Sequence, residues 1–141
     1  MKKLIKKIIY SFLNVNLLTS YRIKKIGKNV IIILNLHRVS NENNSSYSPL
    51  KINIFNQLIY FLITNFNVIT FKDIDNKQKS NKPLLILSFD DGYEDFYLNV
   101  YPILEKFNLR ANLNIIPGCI DTGLPPLNVL MQDFIFQAPK H

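Results

Sequence analysis

The chain has a single cysteine, only two histidines, and no apolar run long enough to cross a bilayer as a helix. Cys119 alone excludes an internal disulfide and leaves the redox compartment undecided. His37 and His141 form no pair at helical i, i+4 spacing. A membrane-spanning helix needs about 20 mostly apolar residues, and no stretch supplies them. Internal repeats and low-complexity tracts are also missing. What remains, 141 residues with 48% hydrophobic content, is enough for one domain with a real core, and no second domain is required.

The formal charge of +7 is unevenly placed. Lys2, Lys3, Lys6, Lys7, Arg22, Lys24, Lys25 and Lys28 all precede the first acid, and the rest of the chain is close to neutral. A nucleic-acid binder carries its basic residues on the folded body, interleaved with exposed aromatics, and that pattern is missing here. No nucleic-acid partner is therefore expected. The N-terminal residues have a helical period, with Leu4, Ile5, Ile8, Ile9, Phe12 and Leu13 on one stripe and Lys3, Lys6, Lys7 and Asn14 on the other. This cationic amphipathic pattern suits a helix lying on an anionic membrane surface, and equally one packed on its own domain. Ser11, Asn14 and Asn16 interrupt the apolar stretch and no small-x-small cleavage site follows, so a secretory signal is not expected. A cytoplasmic or membrane-peripheral location is favoured over secretion. The division is a basic amphipathic segment over 1–28 and a folded domain over 29–141.

Within that domain, residues 30–36 form an apolar, β-branched run ending in His37-Arg38-Val39, which predicts a strand and then a polar loop over 40–48. Phe55, Leu58, Ile59, Leu62 and Ile63 recur at helical spacing within 52–66, and a short strand is expected over 68–71. Residues 73–82 are polar and without period, as in a surface loop. Leu84 to Phe89 is a near-continuous apolar run between Lys82-Pro83 and Gly92, which suits a parallel strand covered on both faces. Acids open the next periodic segment, 94–107, where Pro102 is expected to kink or restart the helix. A further strand over 111–116, ended by Pro117-Gly118, and a short helix over 127–136 complete the order. Strands alternating with helices indicate βαβ units with right-handed crossovers and a mainly parallel sheet. A full eightfold barrel needs roughly 250 residues, so this length supplies about half of one.

Asp90 and Asp91 stand at the carboxyl end of the strand over Leu84 to Phe89, where α/β folds collect ligand and catalytic groups. Two adjacent carboxylates on one sharp turn repel each other unless their roles differ; a cation held by one leaves the other free as a base. The plainer reading is that both cap the helix that starts near Glu94.

The stretch Ser88-Phe89-Asp90-Asp91-Gly92-Tyr93 resembles the first motif of the polysaccharide deacetylases, the NodB-homology proteins of carbohydrate esterase family four. Leu34-Asn35-Leu36-His37-Arg38-Val39 resembles the first barrel strand of many members, and residues 55–74 resemble their helix and following strand. Tyr101-Pro102-Ile103-Leu104 and Ala111-Asn112-Leu113-Asn114 resemble the next helix and strand, so the likeness covers about residues 31–123. The resemblance implies the N-terminal half of a distorted (β/α) barrel with mainly parallel strands. It implies a metal-dependent hydrolase that removes N-acetyl or O-acetyl groups from an acetylated polysaccharide. Asp90 would be the general base and Asp91 a ligand of a divalent metal, zinc in most members.

The family's second motif, H-S/T-x-x-H, which completes an Asp-His-His metal site, has no counterpart, nor do the later motifs. One carboxylate is far from a three-ligand catalytic zinc site, so the resemblance implies an incomplete metal site and a truncated chain. The alternative is a catalytically inactive half-barrel serving as a membrane-surface or assembly module. His37 ends its strand at the same sheet edge as Asp91 and is a candidate for contacting substrate, against a structural role bonded to nearby backbone. Tyr93 is a candidate lining residue of the substrate groove, against simple packing at a helix entry. Cys119 has no partner for a nucleophilic pair and reads as an inert, half-buried thiol. Magnesium-binding phosphotransfer domains also place paired acids at strand ends, but near the chain start, whereas here a strand and a helix precede the pair.

Overall fold

The computed structural model describes residues 16–26, 30–43, 45–75 and 80–139. The apolar stripe proposed for residues 4–13, and His141, lie outside the described residues. The elements are α1 (Asn16–Lys25), β1 (Ile31–Leu36), α2 (Ile52–Asn65), β2 (Asn67–Ile69), a 3-10 turn (Phe71–Asp73) and β3 (Leu84–Phe89). A helix follows in two pieces, a π-helical turn (Phe96–Val100) and α3 (Tyr101–Lys106), and then β4 (Asn112–Leu113), α4 (Pro117–Thr122) and α5 (Leu127–Gln137).

All strand pairings are parallel, and β3 is the centre of the sheet. β1 pairs along its full length, from Ile31 opposite Leu84 to Leu36 opposite Phe89. β2 and β4 share the other edge: β2 covers Leu84 to Ile86, and β4 covers Ser88 and Phe89. Two short strands in succession along one edge bend the sheet away from a regular open layer. The architecture is α/β, a parallel arc of a distorted (β/α) barrel with α2 and α3 packed on its outer face.

Period-two alternation decides what each face holds. Leu85, Leu87 and Phe89 of β3 join Phe55, Ile59 and Leu62 of α2 and Val100 and Leu104 of the following helix in one core. Ile32, Leu34 and Leu36 of β1 pack against the same cluster. The intervening β3 residues Ile86 and Ser88 are buried as well, so both faces are covered, as the unbroken apolar run implied. Phe89 is fully buried and meets Phe55 (6.0 Å between centroids) and Phe96 (5.0 Å) edge to face. Such a ring contributes about 2–3 kcal/mol by burial alone.

The expected disturbance at Pro102 takes the form of a widened turn. Proline has no N–H to donate, and the register shifts so that the Tyr101 N–H bonds the Phe96 carbonyl, five residues back. Three expectations need correction: the strand expected over 68–71 spans Asn67–Ile69, and Phe71 opens a 3-10 turn instead. The strand expected over 111–116 is shorter, only Asn112–Leu113, and α4 occupies Pro117–Thr122, where the sequence suggested only a strand stop. Pro117 sits in the first turn of α4 and Gly123 closes it with φ 67°, so the two act as its start and stop signals.

α5 is apolar nearly all round: Val129 is buried, whereas Leu127, Met131, Phe134, Ile135 and Phe136 are exposed. A helix of that composition is stable in water only when covered. Expressed alone, the chain is expected to self-associate at micromolar concentration; a sharp monomeric peak in size-exclusion chromatography would refute this.

Candidate active site at the carboxyl end of β3

The pairing of β1 with β3 continues one step past the strands: the Asp90 N–H donates to the Leu36 carbonyl at 3.0 Å. Because Phe89 faces the outer core, Asp90 necessarily faces the inner side of the arc, in line with Ser88 and Ile86. His37 directly follows Leu36, the partner of Phe89, so His37 and Asp90 end two paired strands side by side.

Asp90 is held by two side-chain amides. Asn35 Nδ2 donates to Oδ2 at 2.6 Å and Asn114 Nδ2 to Oδ1 at 2.7 Å. Asn35 comes from β1 and Asn114 from the residue after β4, whose own N–H donates to the Phe89 carbonyl. Asn112 and Asn114 both reach Ser88 Oγ at 3.3 Å, which extends a polar ladder along the inner face. The bonds from Asn114 and Asn35, with a smaller contribution from the nearby His37, hold the Asp90 carboxyl below the usual carboxylate range. Neither Asp90 nor Asp91 accepts a hydrogen bond from a helix N–H among the described residues, so neither caps the helix that follows.

Asp91 has a left-handed backbone, φ 74°, followed by Gly92 at φ 71°. Two successive residues of this kind turn the chain sharply from β3 towards Glu94. Gly92 is required on two counts: its φ disfavours a side chain, and a Cβ there would lie 3.1 Å from Ile115 Cγ2. Asp91 is not glycine, and its conformation costs roughly 1 kcal/mol. Strain retained beside a polar site is a reason to look for function there.

An aromatic and charged wall stands beside the acids. The His37 ring meets Tyr47 edge to face at 5.7 Å, Tyr47 stacks on Tyr93 at 6.5 Å, and the Arg38 guanidinium lies 5.1 Å above the Tyr93 ring. Arg38 Nε also pairs with Asp95 Oδ2 at 3.0 Å, both side chains being largely buried. Burial raises the Asp95 pKa and Arg38 lowers it, burial prevailing, as in ion pairs whose desolvation outweighs their attraction. Burial, with Asp91 nearby, pushes the Tyr93 hydroxyl up to about 12. The loop carrying Tyr47 is tied down from afar: Asp133 of α5 accepts from Ser45 Oγ, Ser46 Oγ and the Ser46 N–H at 2.7–2.8 Å. Tyr93 also borders a cleft of about 380 Å³ with Asp91, Ile120, Leu124 and Pro125, where half-buried Cys119 contributes.

The structure thus brings His37, Asp90, Asp91 and Tyr93 to one end of the sheet. Arg38, Tyr47, Asp95 and the amides Asn35 and Asn114 were not singled out from sequence. Only Asn35 and Asn114 carried a signal, as polar residues within or beside apolar strand runs. Among the described residues no group of three or more His, Cys, Asp or Glu side chains converges to hold a metal ion, and no helix is long and apolar enough to cross a membrane.

No family model matches the chain. Over 70 residues it is 30% identical to the poly-beta-1,6-N-acetyl-D-glucosamine N-deacetylase of Escherichia coli (strain K12), a match covering 47% of this chain and 10% of that protein. Among solved structures it is similar to the Streptococcus pyogenes deacetylase PplD in complex with acetate, with a TM-score of 0.56 and 26% identity. That likeness covers 72% of this chain and 49% of the other. IcaB from Ammonifex degensii shares the fold, with a TM-score of 0.55, 21% identity, and coverage of 63% of this chain and 39% of the other. The chain therefore spans less than half of the length of each of these three proteins, and over that part it is similar in sequence and fold to polysaccharide deacetylases.

Two substitutions test this geometry. Asn114→Ala should raise the Asp90 pKa; because Asp90 is depressed in the folded state, it stabilises the fold above the unfolded carboxylate value of about 4 and loses that contribution as pH falls. The variant should lose less stability on acidification through that range than the parent; an unchanged pH profile in urea titrations would reject the amide clamp. Asp91→Gly should leave the fold intact and raise its stability by up to about 1 kcal/mol, and a clear loss would show that the turn is unstrained.

Proposed function

We propose that this chain is part of a polysaccharide deacetylase, a hydrolase that removes N-linked or O-linked acetyl groups from a polysaccharide. The observation that carries the reading is Asp90 fixed by two amides at the carboxyl end of β3, next to the turned-out Asp91. The sequence likeness to a curated N-deacetylase supports the same reading.

Asp90 is the general base in this proposal. The amides keep it ionised and each takes one lone pair of one oxygen, so that the remaining lone pairs are available to a water attacking the acetyl carbonyl. A depressed pKa makes it a weak base, which favours turnover only where the water is itself made more acidic. Asp91 is the proposed ligand of a divalent metal, zinc in keeping with the resemblance. The described residues do not fit a closed zinc site, because no second and third ligand converge with Asp91. In this proposal the further ligands come from a larger deacetylase of which these residues are one part. His37 and Tyr93, on the wall beside the acids, are the proposed substrate contacts.

Acetate release from N-acetylglucosamine oligomers with added zinc, measured on a full-length deacetylase carrying these residues, tests the assignment. Asp90→Asn should lower turnover by about 10²–10⁴-fold. Asp91→Ala should abolish the zinc response, and full activity in that variant would exclude the metal role.

A further inference from the structure

Acids and cations are separated along the direction of the strands. Asp90, Asp91, Glu94 and Asp95 follow the carboxyl end of β3, and Glu42 lines a cleft there with Glu94 and Asp95. The amino end of β3, about 20 Å away across six residues of strand, opens on two other clefts, of about 430 and 610 Å³, that share Asn81 and Lys82. Among the described residues neither lining holds an acid, and the smaller one adds Lys24. Glu105, in the last turn of α3, has Lys106 beside it.

α1 packs at that amino end. Ile23 is buried in the main core, and Lys24 and Ile26 border the smaller cleft with Thr64, Asn65 and Pro83. At about 100° per helical residue, Leu18, Tyr21, Arg22 and Lys25 form one stripe on the side opposite Ile23. All four are exposed, Tyr21 by 65%. Arg22, Lys24 and Lys25 have no carboxylate partner among the described residues, where the ion pair is Arg38 with Asp95. Lys2, Lys3, Lys6 and Lys7 precede α1 in the sequence with no acid between, so the charge at this end is of one sign. A face that is merely solvated carries charge alone. This one sets an aromatic and an aliphatic side chain among its cations, and Val30, just ahead of β1, is exposed as well. Tyrosine suits the headgroup level of a bilayer, and long basic side chains reach lipid phosphates while their stems stay on apolar surface. We infer that α1 and the amino end of the sheet dock on an anionic lipid surface, with the acid pair turned away from the lipid. Nothing in this docking depends on the deacetylase reading.

Flotation of the whole chain with vesicles of equal parts phosphatidylglycerol and phosphatidylcholine tests the docking. The chain should float with these vesicles, stay behind with phosphatidylcholine alone, and be released as salt rises. Each cation near such a surface contributes roughly fivefold, so Arg22→Gln/Lys24→Gln/Lys25→Gln should weaken binding roughly tenfold or more with circular dichroism unchanged. The chain has no tryptophan, so single replacements report orientation without background. Emission of Tyr21→Trp should shift to the blue on the vesicles and be quenched by brominated lipid, whereas Leu124→Trp, in the cleft with Asp91, should not respond. Should the triple variant lose its circular dichroism spectrum, this tryptophan pair decides. Equal flotation with both vesicles, full binding by a folded triple variant, an unshifted Tyr21→Trp, or quenching of Leu124→Trp each overturns the docking. Tighter binding to single-stranded RNA than to the vesicles also overturns it, and assigns the cationic face to nucleic acid.

Discussion

The burial of Phe89 against Phe55 and Phe96 sets the direction of everything that follows it. Once that ring is committed to the outer core, the alternation of β3 leaves Asp90 no choice but the inner side. The parallel pairing with β1 carries Asn35 and His37 to the same level, and β4 brings Asn114 from the other edge. An apolar contact thus fixes the aim of a carboxylate that it never touches. A register slip of one residue in β3 would bury Asp90 among phenylalanines and present Phe89 to the inner face, so the core also excludes the wrong arrangement.

Around this frame the polar groups are arranged at some energetic cost. Arg38 is held between the Asp95 carboxylate and the Tyr93 ring, and burial of Asp95 works against its ionisation. A well-packed apolar pair in those positions would match or exceed it in stability. What the ion pair provides is a fixed orientation for Tyr93, and through Tyr93 for Tyr47 and His37, so the wall beside the acids has little freedom. The left-handed Asp91 is a second local cost at the same place. Both lie within the turn and the loops, while the strands beneath carry the cohesion of the fold.

Much of this was legible in the order of residues. β3 matches its apolar run residue for residue, and α2 follows the spacing of Phe55, Ile59 and Leu62, because burial on one face leaves a periodic trace in sequence. The acid pair was visible because it stands at the carboxyl end of a buried strand, the end where α/β folds collect ligand groups. The amides that hold Asp90 were harder to see, since Asn35 and Asn114 lie far apart in the chain and meet only through strands on opposite edges of β3. Arg38 and Asp95 belong to the same class: their pairing depends on where a loop and a helix start converge. α4 was missed because Pro117 and Gly118 read locally as breakers, whereas proline in a first helical turn loses no hydrogen bond.

Asp133 accepts from both Ser45 and Ser46, 88 and 87 residues earlier in the chain. That clasp joins the loop after β1 to the last described helix, and so links two segments far apart in the chain. Strands β1, β2 and β3 can pair with one another once residue 89 is in place, and β4 joins them by residue 113, but the loop bearing Tyr47 waits for α5 before its own anchor exists. On a ribosome the sheet precedes its rim, and the wall beside the acids is secured only after α5 has emerged.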